Sequence, residues 1–271
     1  EKKIFYRLMS ILLITGDHPR HEYFVKNLSS TNLITGWIRE NRENIIPPIP
    51  KNINSNLINL FNHHFSLRKR AEDEFFLDFK IINVPIKEVN KDNLNSKDTI
   101  EFIKKIKPNL VISYGCHKIS NNLIKASNCK FWNTHGGLSP WYKGVITHFW
   151  PSYFLEPQMT GLTLHETSDE LDSGNIIFQT VAEMKKGDGL HQLACRSVCG
   201  FTEKLKSTLT KLDFINLPSG APQLTGGKTF KATDWRPEHL DVIYNKFDDS
   251  IVDLYLSNKI TNKNPKLISV L

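Results

Sequence analysis

An asparagine and a histidine stand two positions apart at the end of an apolar stretch of this 271-residue chain. They are Asn133 and His135, in the segment FWNTHGGLSPWYKG at 131–144. A third polar candidate, Asp172, follows in the segment ETSDELDSGNI. An asparagine amide and a protonated histidine donate hydrogen bonds to developing negative charge, and a nearby carboxylate keeps the histidine oriented and charged. Such a trio would suit acyl transfer without a covalent enzyme intermediate.

Each of these residues also has a purely structural interpretation. A histidine near a strand end is often a buried residue whose hydrogen bonds are satisfied. Asn133 could be a turn residue, Asp172 could cap a turn, and the aromatic stretch WYKG could be a packed loop. Residue types and spacing leave both interpretations open.

The composition is that of an ordinary globular protein, with 39% hydrophobic and 23% charged residues. No apolar run approaches the roughly 20 residues that a membrane-spanning helix needs, so we expect no membrane partner. The first residues imitate a signal peptide, but Arg7 interrupts the run and no small-residue cleavage site follows. We therefore interpret SILLITG as a buried strand. Position 1 is not Met, and Met9 could be the native start, which leaves the origin of residues 1–8 open.

The cysteines and the net charge indicate the location of the protein and its kind of binding partner. The chain has four cysteines, Cys116, Cys129, Cys195 and Cys199, and none of them forms a C-x-x-C pair. We therefore expect the cysteines to pack in the interior and the protein to be located in the reducing cytoplasm. A net charge of +7 would suit nucleic acid or an anionic substrate. The dense basic cluster LRKR is followed at once by acidic residues, so nucleic-acid binding is not favoured.

Apolar runs and turn residues predict alternating strands and helices. Strands are expected at 10–15, 32–38, 81–86, 109–115, 129–135, 160–167 and 175–184. Helices are expected after an N-cap at Asp17 with Pro19 in the first turn, and at 66–79, 98–108, 119–127, 148–155 and 190–212. Residues 41–56 are expected to form a surface loop. The alternation predicts an α/β fold with a doubly wound, mostly parallel, Rossmann-like sheet.

Two parts are expected along the chain. Residues 1–217 would form a catalytic domain, and residues 218–271 a small, mostly helical C-terminal extension with short helices at 237–247 and 249–259. Asn133 and His135 would then lie at the carboxyl end of a parallel strand, the edge where open α/β sheets bind ligands. The chain has no G-x-G-x-x-G after its first strand, no P-loop and no G-x-S-x-G, so nucleotide-fold, kinase and serine-hydrolase readings lose their usual support.

The segment NTHGGLSPWYKG resembles the signature of the folate-dependent formyltransferases, an Asn-x-His followed by Leu-x-Pro-x-Tyr-basic-Gly. The later TGLTLHETSDELDSGNIIFQ is similar to the second signature of that family, a Gly-x-Thr strand followed by Asp-x-Gly-x-Ile-x-x-Gln. Both segments are in family order and at a family-like separation. The resemblance covers roughly residues 10–210 and is greatest to the sugar N-formyltransferases and the catalytic domain of methionyl-tRNA formyltransferase.

The resemblance implies transfer of a formyl group from N10-formyltetrahydrofolate, a co-substrate, to an amine. It places Asn133, His135 and Asp172 at the catalytic positions and implies no metal ligand. It implies a folate site made largely of backbone groups, with Tyr114, Gly115, Cys116, His117, Lys118, Ile119, His165, Glu166, Ser168 and Leu171 as its candidate residues.

The acceptor end is expected to differ from that of the best-known members. Its candidate residues are His18, Arg20, His21, Gly136, Gly137, Tyr142 and Lys143. The first three stand at a helix N-terminus, a natural anion site, although a capped helix with exposed basic residues fits equally. Many members have Ser at the position of Gly137 and Arg at that of Lys143, and Lys lacks the planar fork of Arg.

The acceptor itself stays open at this level. A nucleotide-linked amino sugar is the first choice, because residues 218–271 are too short for the β-barrel of the tRNA enzymes. A phosphorylated metabolite, an amino acid, a peptide and an aminoacyl-tRNA are alternatives. Two rivals use the same scaffold: a metal-dependent hydrolase built on His135, His148, His165 and Asp172, and a non-catalytic binding protein. The extension could form a homodimer interface or cover the acceptor pocket.

Overall fold

The computed structural model describes residues 9–77, 82–223 and 226–271. The strands are β1 Ile11–Gly16, β2 Ile34–Glu40, β3 Ile86–Val89, β4 Leu110–Tyr114, β5 Lys130–His135, β6 Tyr142–Gly144, β7 Gly161–Glu166, β8 Ile176–Val181 and β9 Lys228–Phe230. The α-helices are α1 Pro19–Ser29, α2 Ser55–Phe76, α3 Lys97–Ile106, α4 Asn121–Ser127, α5 Trp150–Tyr153, α6 Leu190–Leu209 and α7 Ile251–Leu256. None of the helices in this part of the chain combines the length and apolar character that crossing a membrane requires.

Seven strands form a central sheet in the order β3-β2-β1-β4-β5-β7-β8. Pairing is parallel from β3 to β5 and antiparallel between β5 and β7 and between β7 and β8. The chain order reverses between β1 and β4, and such a reversal opens a crevice at the carboxyl ends of the strands. The doubly wound, mostly parallel α/β fold predicted from the sequence is therefore confirmed.

Apolar cores cover both faces of the sheet. Ile11 and Leu13 pack on the side of α1 and α6, whereas Leu12 and Ile14 pack on the side of α3 and α4. All four side chains are fully buried. A parallel strand covered on both faces is apolar throughout, which explains why ILLITG shows no polar alternation.

The first helix and the second begin differently from expectation. Asp17 is not the N-cap of α1; His18 occupies that position without a side-chain cap bond, while Pro19 does lie in the first turn. The Asp17 carboxylate accepts the backbone N–H of Arg42 at 3.1 Å instead. The Asn54 side chain caps α2 by accepting the N–H of Leu57, so this helix starts well before the predicted 66–79. Positions 78 and 79 of that prediction lie outside the described residues.

The predicted bounds of β3 and α5 were also wrong. β3 lies at Ile86–Val89, and the described residues 82–85 of the predicted strand 81–86 are not part of it. Pro85 has no N–H to donate to a ladder, although its carbonyl accepts the N–H of Trp37 at 2.9 Å. Residue 81 lies outside the described part. α5 is limited to Trp150–Tyr153, much shorter than 148–155.

The C-terminal extension packs directly on the FWNTHGGLSPWYKG segment. Its strand β9 pairs in parallel with β6, an interaction that the sequence did not predict. Leu240, Ile243 and Ile251 share a buried cluster with Tyr142 and Trp150. The extension is helical in part, with 3-10 turns at Ala232–Asp234 and Pro237–His239, a π-helical segment at Asp241–Lys246, and α7. A domain division at residue 217 stays a prediction.

The junction of β6 with β9 requires glycine at position 144. Gly144 has a φ of +91°, and a Cβ there would collide with the carbonyl oxygen of Phe230. We expect Gly144→Ala to lower the free energy of unfolding by about 2 kcal/mol or more, since left-handed backbone strain adds to the collision. Urea unfolding of both proteins measures the difference.

A glycine without such a constraint provides the matched control. Gly200 lies inside α6, and a Cβ there would meet no atom within 4 Å. Gly200→Ala is expected to leave stability unchanged or to raise it by up to about 1 kcal/mol, because alanine favours helix. Equal losses from both substitutions would contradict the role assigned to Gly144.

Candidate active site

A cavity of about 600 Å³ lies where the strand order reverses. The carboxyl ends of β4 and β5, the first turn of α1 and the loop between β7 and β8 all contribute to its wall. This volume lies within the usual range for small-molecule sites. The cavity brings together elements that are up to about 170 residues apart in the chain.

Strand register fixes the side chain of Asn133. Parallel pairing places Ser113 opposite Asn133, and antiparallel pairing places His165 opposite it on the other side. The Ser113 hydroxyl donates to Asn133 Oδ1 at 2.8 Å. Asn133 Nδ2 lies 3.2 Å from His165 Nε2, and His165 Nδ1 lies 2.8 Å from the Glu166 carbonyl oxygen. Because Nδ1 donates to that carbonyl, Nε2 can accept one N–H of Asn133, and Asp172 Oδ1 lies 3.8 Å from the same Nε2. Among the described contacts the second Asn133 N–H has no partner and is available to a ligand.

His135 is buried between a carbonyl and a carboxylate. Its Nε2 donates to the carbonyl oxygen of Tyr142 at 2.8 Å, and its Nδ1 lies 3.3 Å from Asp172 Oδ2. Burial lowers the pKa of His135, and the negative charge of Asp172 opposes that effect. Because Nε2–H is committed to the carbonyl, a proton at Nδ1 joins His135 to Asp172. The sequence predicts a protonated His135, but the net shift of its pKa is downward. Protonation of His135 therefore relies on the negative charge of Asp172.

Asp172 is held by both its carboxylate and its backbone. Burial acts to raise the pKa of Asp172, but the neighbouring His135 and His165 and the N–H of Gly144 together lower it. That N–H donates to Oδ2 at 2.9 Å. Asp172 has a φ of +49°, so its loop conformation needs support. Gln223 Nε2, from the C-terminal extension, donates to the carbonyl oxygens of Asp172 and Gly174, each at 2.8 Å. Sequence reasoning missed Gln223, because no local pattern marks it.

The predicted folate residues, with one exception, line the cavity, and Lys118 Nζ joins their two stretches by donating to the carbonyl oxygen of Asp169 at 2.9 Å. The lining includes Tyr114, Gly115, Cys116, His117, Lys118, Ile119, His165, Ser168 and Leu171. Glu166 is not part of the described lining; its carboxylate accepts the N–H of Gly220 at 3.4 Å. The buried Glu40 holds the first stretch in place by accepting the backbone N–H of His117 at 2.8 Å and contacting its ring at 2.7 Å.

The predicted acceptor residues divide into two groups. His18, Arg20, His21 and Gly136 line the cavity. Gly137, Tyr142 and Lys143 are not among the described residues that line the cavity, and their assignment to the acceptor stays a prediction. Each also has a structural role. Gly137 leaves room for His135 Nε2, the Tyr142 hydroxyl donates to Glu156, and Lys143 Nζ donates to Ser173 Oγ at 3.2 Å.

Comparison with known proteins agrees with this geometry. A formyl transferase family model matches residues 66–199, a stretch that includes Asn133, His135 and Asp172. Over these residues the chain is similar to the formyl transferase family. In the part of the chain that the structure describes, no three His, Cys, Asp or Glu side chains are arranged to hold a metal ion. Its four cysteines are all free.

Two curated relatives and one solved structure resemble this protein. Over 97 residues it is 31% identical to the bifunctional polymyxin resistance protein ArnA of Wigglesworthia glossinidia brevipalpis, a match that covers 35% of the chain and 15% of ArnA. Over 133 residues it is 26% identical to the methionyl-tRNA formyltransferase of Thermotoga maritima, covering 48% of the chain and 41% of that enzyme. The chain thus matches less than half the length of either relative. A sugar N-formyltransferase from a Shewanella species has the same fold, with a TM-score of 0.55, 20% identity and 87% of each chain covered.

The cavity lining also includes residues that sequence reasoning did not assign to the folate or to the acceptor. Among them are five basic or imidazole side chains: Arg42, His64, Arg68, His148 and His191. The sequence offered one signal, the cluster LRKR, which was considered only as a nucleic-acid-binding signal. Its first arginine instead faces the cavity, because α2 begins early and packs along α6.

Proposed function

We propose that this protein transfers a formyl group from N10-formyltetrahydrofolate to the primary amine of a small acceptor. One observation carries the proposal. Asn133, His135 and Asp172 converge at the edge of a cavity, in a chain that is similar to the formyl transferase family over residues 66–199. The two stretches proposed for the folate, 114–119 and 165–171, line the same cavity and are joined by Lys118, and they form the proposed folate wall. Leu171 is 61% exposed at this wall, a large apolar surface that a flat pterin ring would cover.

The proposed roles follow from the donors present. A bond forms between the acceptor nitrogen and the formyl carbon while the bond from that carbon to N10 breaks. The formyl oxygen carries developing negative charge, which an N–H of Asn133 would stabilise through a hydrogen bond and the positive charge of protonated His135 through electrostatic attraction. The attacking amine loses a proton and N10 gains one. Asp172 supports the charged His135 and passes the proton through water.

The acceptor we propose is an amino sugar carried on a nucleotide. The basic lining of the cavity supports an acceptor with an anionic group. The protein with the same fold from Shewanella is named a sugar N-formyltransferase, whereas the Thermotoga relative is a methionyl-tRNA formyltransferase. The alternative acceptors are a phosphorylated metabolite, an amino acid, a peptide and an aminoacyl-tRNA. Formylation assays with each compound would distinguish them from an amino sugar.

Calorimetric titration with 5-formyltetrahydrofolate, a stable analogue of the donor, tests the function directly. One saturable site is expected on the wild-type protein. Leu171→Ala should weaken binding because it removes the apolar surface at the proposed pterin wall. Ile215→Ala is the matched control, since Ile215 is 92% exposed and is not among the residues that line the cavity. Absence of binding at high ligand concentration would overturn the proposal; binding would lead to mass-spectrometric assays of nucleotide-linked amino sugars for formylation.

Gln223 is expected to position Asp172 for this reaction. Gln223→Leu removes two hydrogen bonds to the loop that carries Asp172, and small displacements of catalytic groups are costly. We expect kcat to fall about tenfold with little change in the KM for the donor. Steady-state kinetics measures both constants.

An exposed amide near the start of the extension serves as the control for Gln223. Asn216 bonds only within its own turn, to Asp213, among the described contacts. Asn216→Leu should keep wild-type turnover. If Gln223→Leu also kept wild-type turnover, the extension would have no positioning role.

A further inference from the structure

One end of the cavity, between α1, α2 and α6, contains two guanidinium groups that share a single carboxylate. Arg20 Nε and Arg68 Nε lie 3.2 Å and 3.0 Å from the same oxygen, Glu72 Oε1. Arg20 also donates to that oxygen through Nη2. The Glu72 side chain is 4% exposed, so water does little to screen the group. Two positive charges against one negative leave a net positive charge at this end.

The guanidinium groups have donors to spare. Both Arg20 and Arg68 line the cavity. In the described part of the chain, the terminal nitrogens of Arg68 have no hydrogen-bond partner. Among the described residues, the one hydrogen-bond contact of Arg20 Nη1 is with the ring of His148, at 3.3 Å. The Arg20 and Arg68 side chains are 17% and 21% exposed, so both are partly removed from water. Unused donors on such guanidinium groups are available to an anionic ligand that enters the cavity.

The neighbouring groups add no negative charge. His64, His148 and His191 line this end, and burial lowers the pKa of each well below its usual value, so all three are neutral at pH 7. The acidic residues in the described lining are Asp169, Glu170 and Asp172, all on the loop between β7 and β8. The positive charge between the helices therefore has no further counter-ion in the lining.

This end adjoins the reacting groups. Gly136 directly follows His135, and a Cβ on Gly136 would lie 3.7 Å from the ring of His148. His148 in turn contacts Arg20. A ligand whose amine meets His135 can therefore extend past Gly136 toward Arg20 and Arg68.

We propose that Arg20 and Arg68 form a subsite for a phosphate group of the acceptor. That the phosphate belongs to the acceptor rests on the proposed function. A planar guanidinium fork matches phosphate oxygens, and a desolvated site strengthens these charge-assisted bonds. The phosphate belongs either to a monoester or to the diphosphate of a nucleotide-linked compound, and both present the same chemistry to the two arginines.

Titration calorimetry of the full chain in a phosphate-free buffer tests the subsite with three probes: inorganic phosphate, pyrophosphate and UDP. One site is expected on the wild-type protein. Phosphate binding as tightly as UDP indicates a monoester, whereas UDP binding more tightly than pyrophosphate indicates a nucleotide-linked acceptor. Arg68→Gln should weaken the tightest probe about tenfold or more. Arg70→Gln, an exposed position on the same helix, should leave affinity unchanged. No binding of any probe to the wild type overturns the proposal.

Glu72→Gln separates an anion subsite from a structural ion-pair network. Removing the shared carboxylate adds one unit of positive charge, so anion affinity should rise severalfold while the melting temperature falls. A purely structural network predicts that Arg68→Gln and Glu72→Gln both lower the melting temperature and that neither changes anion affinity. That result would overturn the subsite. If Arg68→Gln does not fold, Arg68→Lys, which keeps the charge but loses the fork, should show reduced affinity.

The same variants distinguish failure of the subsite from failure of the proposed function. Arg68→Gln should bind 5-formyltetrahydrofolate as the wild type does, because Arg68 is not among the residues of the proposed folate wall. Folate binding with anion affinity independent of Arg68 would overturn the subsite and keep formyl transfer. Anion affinity that depends on Arg68, in a protein that never binds the folate, would overturn formyl transfer and keep the subsite.

Discussion

Replacement of Asp172 by Asn is expected to lower kcat for formyl transfer by about 10³-fold while the fold stays intact. The Asn side chain keeps an oxygen that can accept the N–H of Gly144, so the loop retains that contact. The variant loses the negative charge that opposes the downward pKa shift of His135. It also loses the carboxylate that would accept the amine proton. Both losses act at the step in which charge develops on the formyl oxygen.

Single-turnover kinetics with saturating donor measures this effect, and thermal unfolding confirms that the variant folds. Donor affinity should change little, since the proposed folate wall contacts the ligand mainly through backbone groups. The same substitution at an exposed turn, Asp92→Asn, should keep wild-type turnover. Near-normal turnover in Asp172→Asn would remove Asp172 from the proposed mechanism.

Stability is expected to fall steeply as the pH decreases from 6.5 to 5. Four buried histidines have pKa values well below 6.5, chiefly because burial disfavours the charged ring; they are His21, His64, His148 and His191. For His64 the pKa is lowered to about 3. The unfolded chain takes up protons at these rings below pH 6.5, whereas the folded protein does not. The free energy of unfolding is therefore unaffected above pH 6.5 and decreases below it.

The expected loss at pH 5 is on the order of 2 kcal/mol for each such histidine. Asp249 partly offsets it, because burial raises its pKa to about 6 and the folded state then binds a proton there. The carboxylates of Glu72 and Asp172 have lowered pKa values and weaken the fold only below about pH 4.5, outside this window.

Urea unfolding at pH 8, 7, 6 and 5 measures the dependence, and two adjacent residues of α2 provide a matched pair. His64→Gln should reduce the number of protons taken up on unfolding, given by the slope of the free energy of unfolding against pH, by about one, since it removes one buried ring. His63→Gln should leave it unchanged, because His63 is exposed. A free energy of unfolding that is constant between pH 7 and 5 would contradict the assignment of neutral, buried histidines.

Local sequence patterns were sufficient for the sheet and for the catalytic candidates. Apolar runs separated by turn residues predicted the strands that carry Asn133 and His135, because a strand buried on both faces has a distinctive composition. The carboxyl-end position of these two residues followed from the α/β alternation alone. Asp172 was found through a motif of fixed spacing, and the structure places it 3.3 Å from His135.

Contacts between distant segments could not be predicted in this way. Gln223 reaches Asp172 from 51 positions away, and Arg20 meets Glu72 from 52 positions away. β9 pairs with β6 although neither three-residue strand has a recognisable pattern. These contacts depend on where helices begin and on which surfaces pack together.

The sequence by itself determined the class of fold, the sheet edge at which the site lies, and the residue types available for the chemistry. Tertiary structure alone decided that Arg68 lines the cavity and that Gly137, Tyr142 and Lys143 are not among its described lining residues. The physical reason is that periodicity and spacing describe interactions along one strand or helix. The side chains that line a cavity are selected instead by the packing of several elements, a property that no single segment contains.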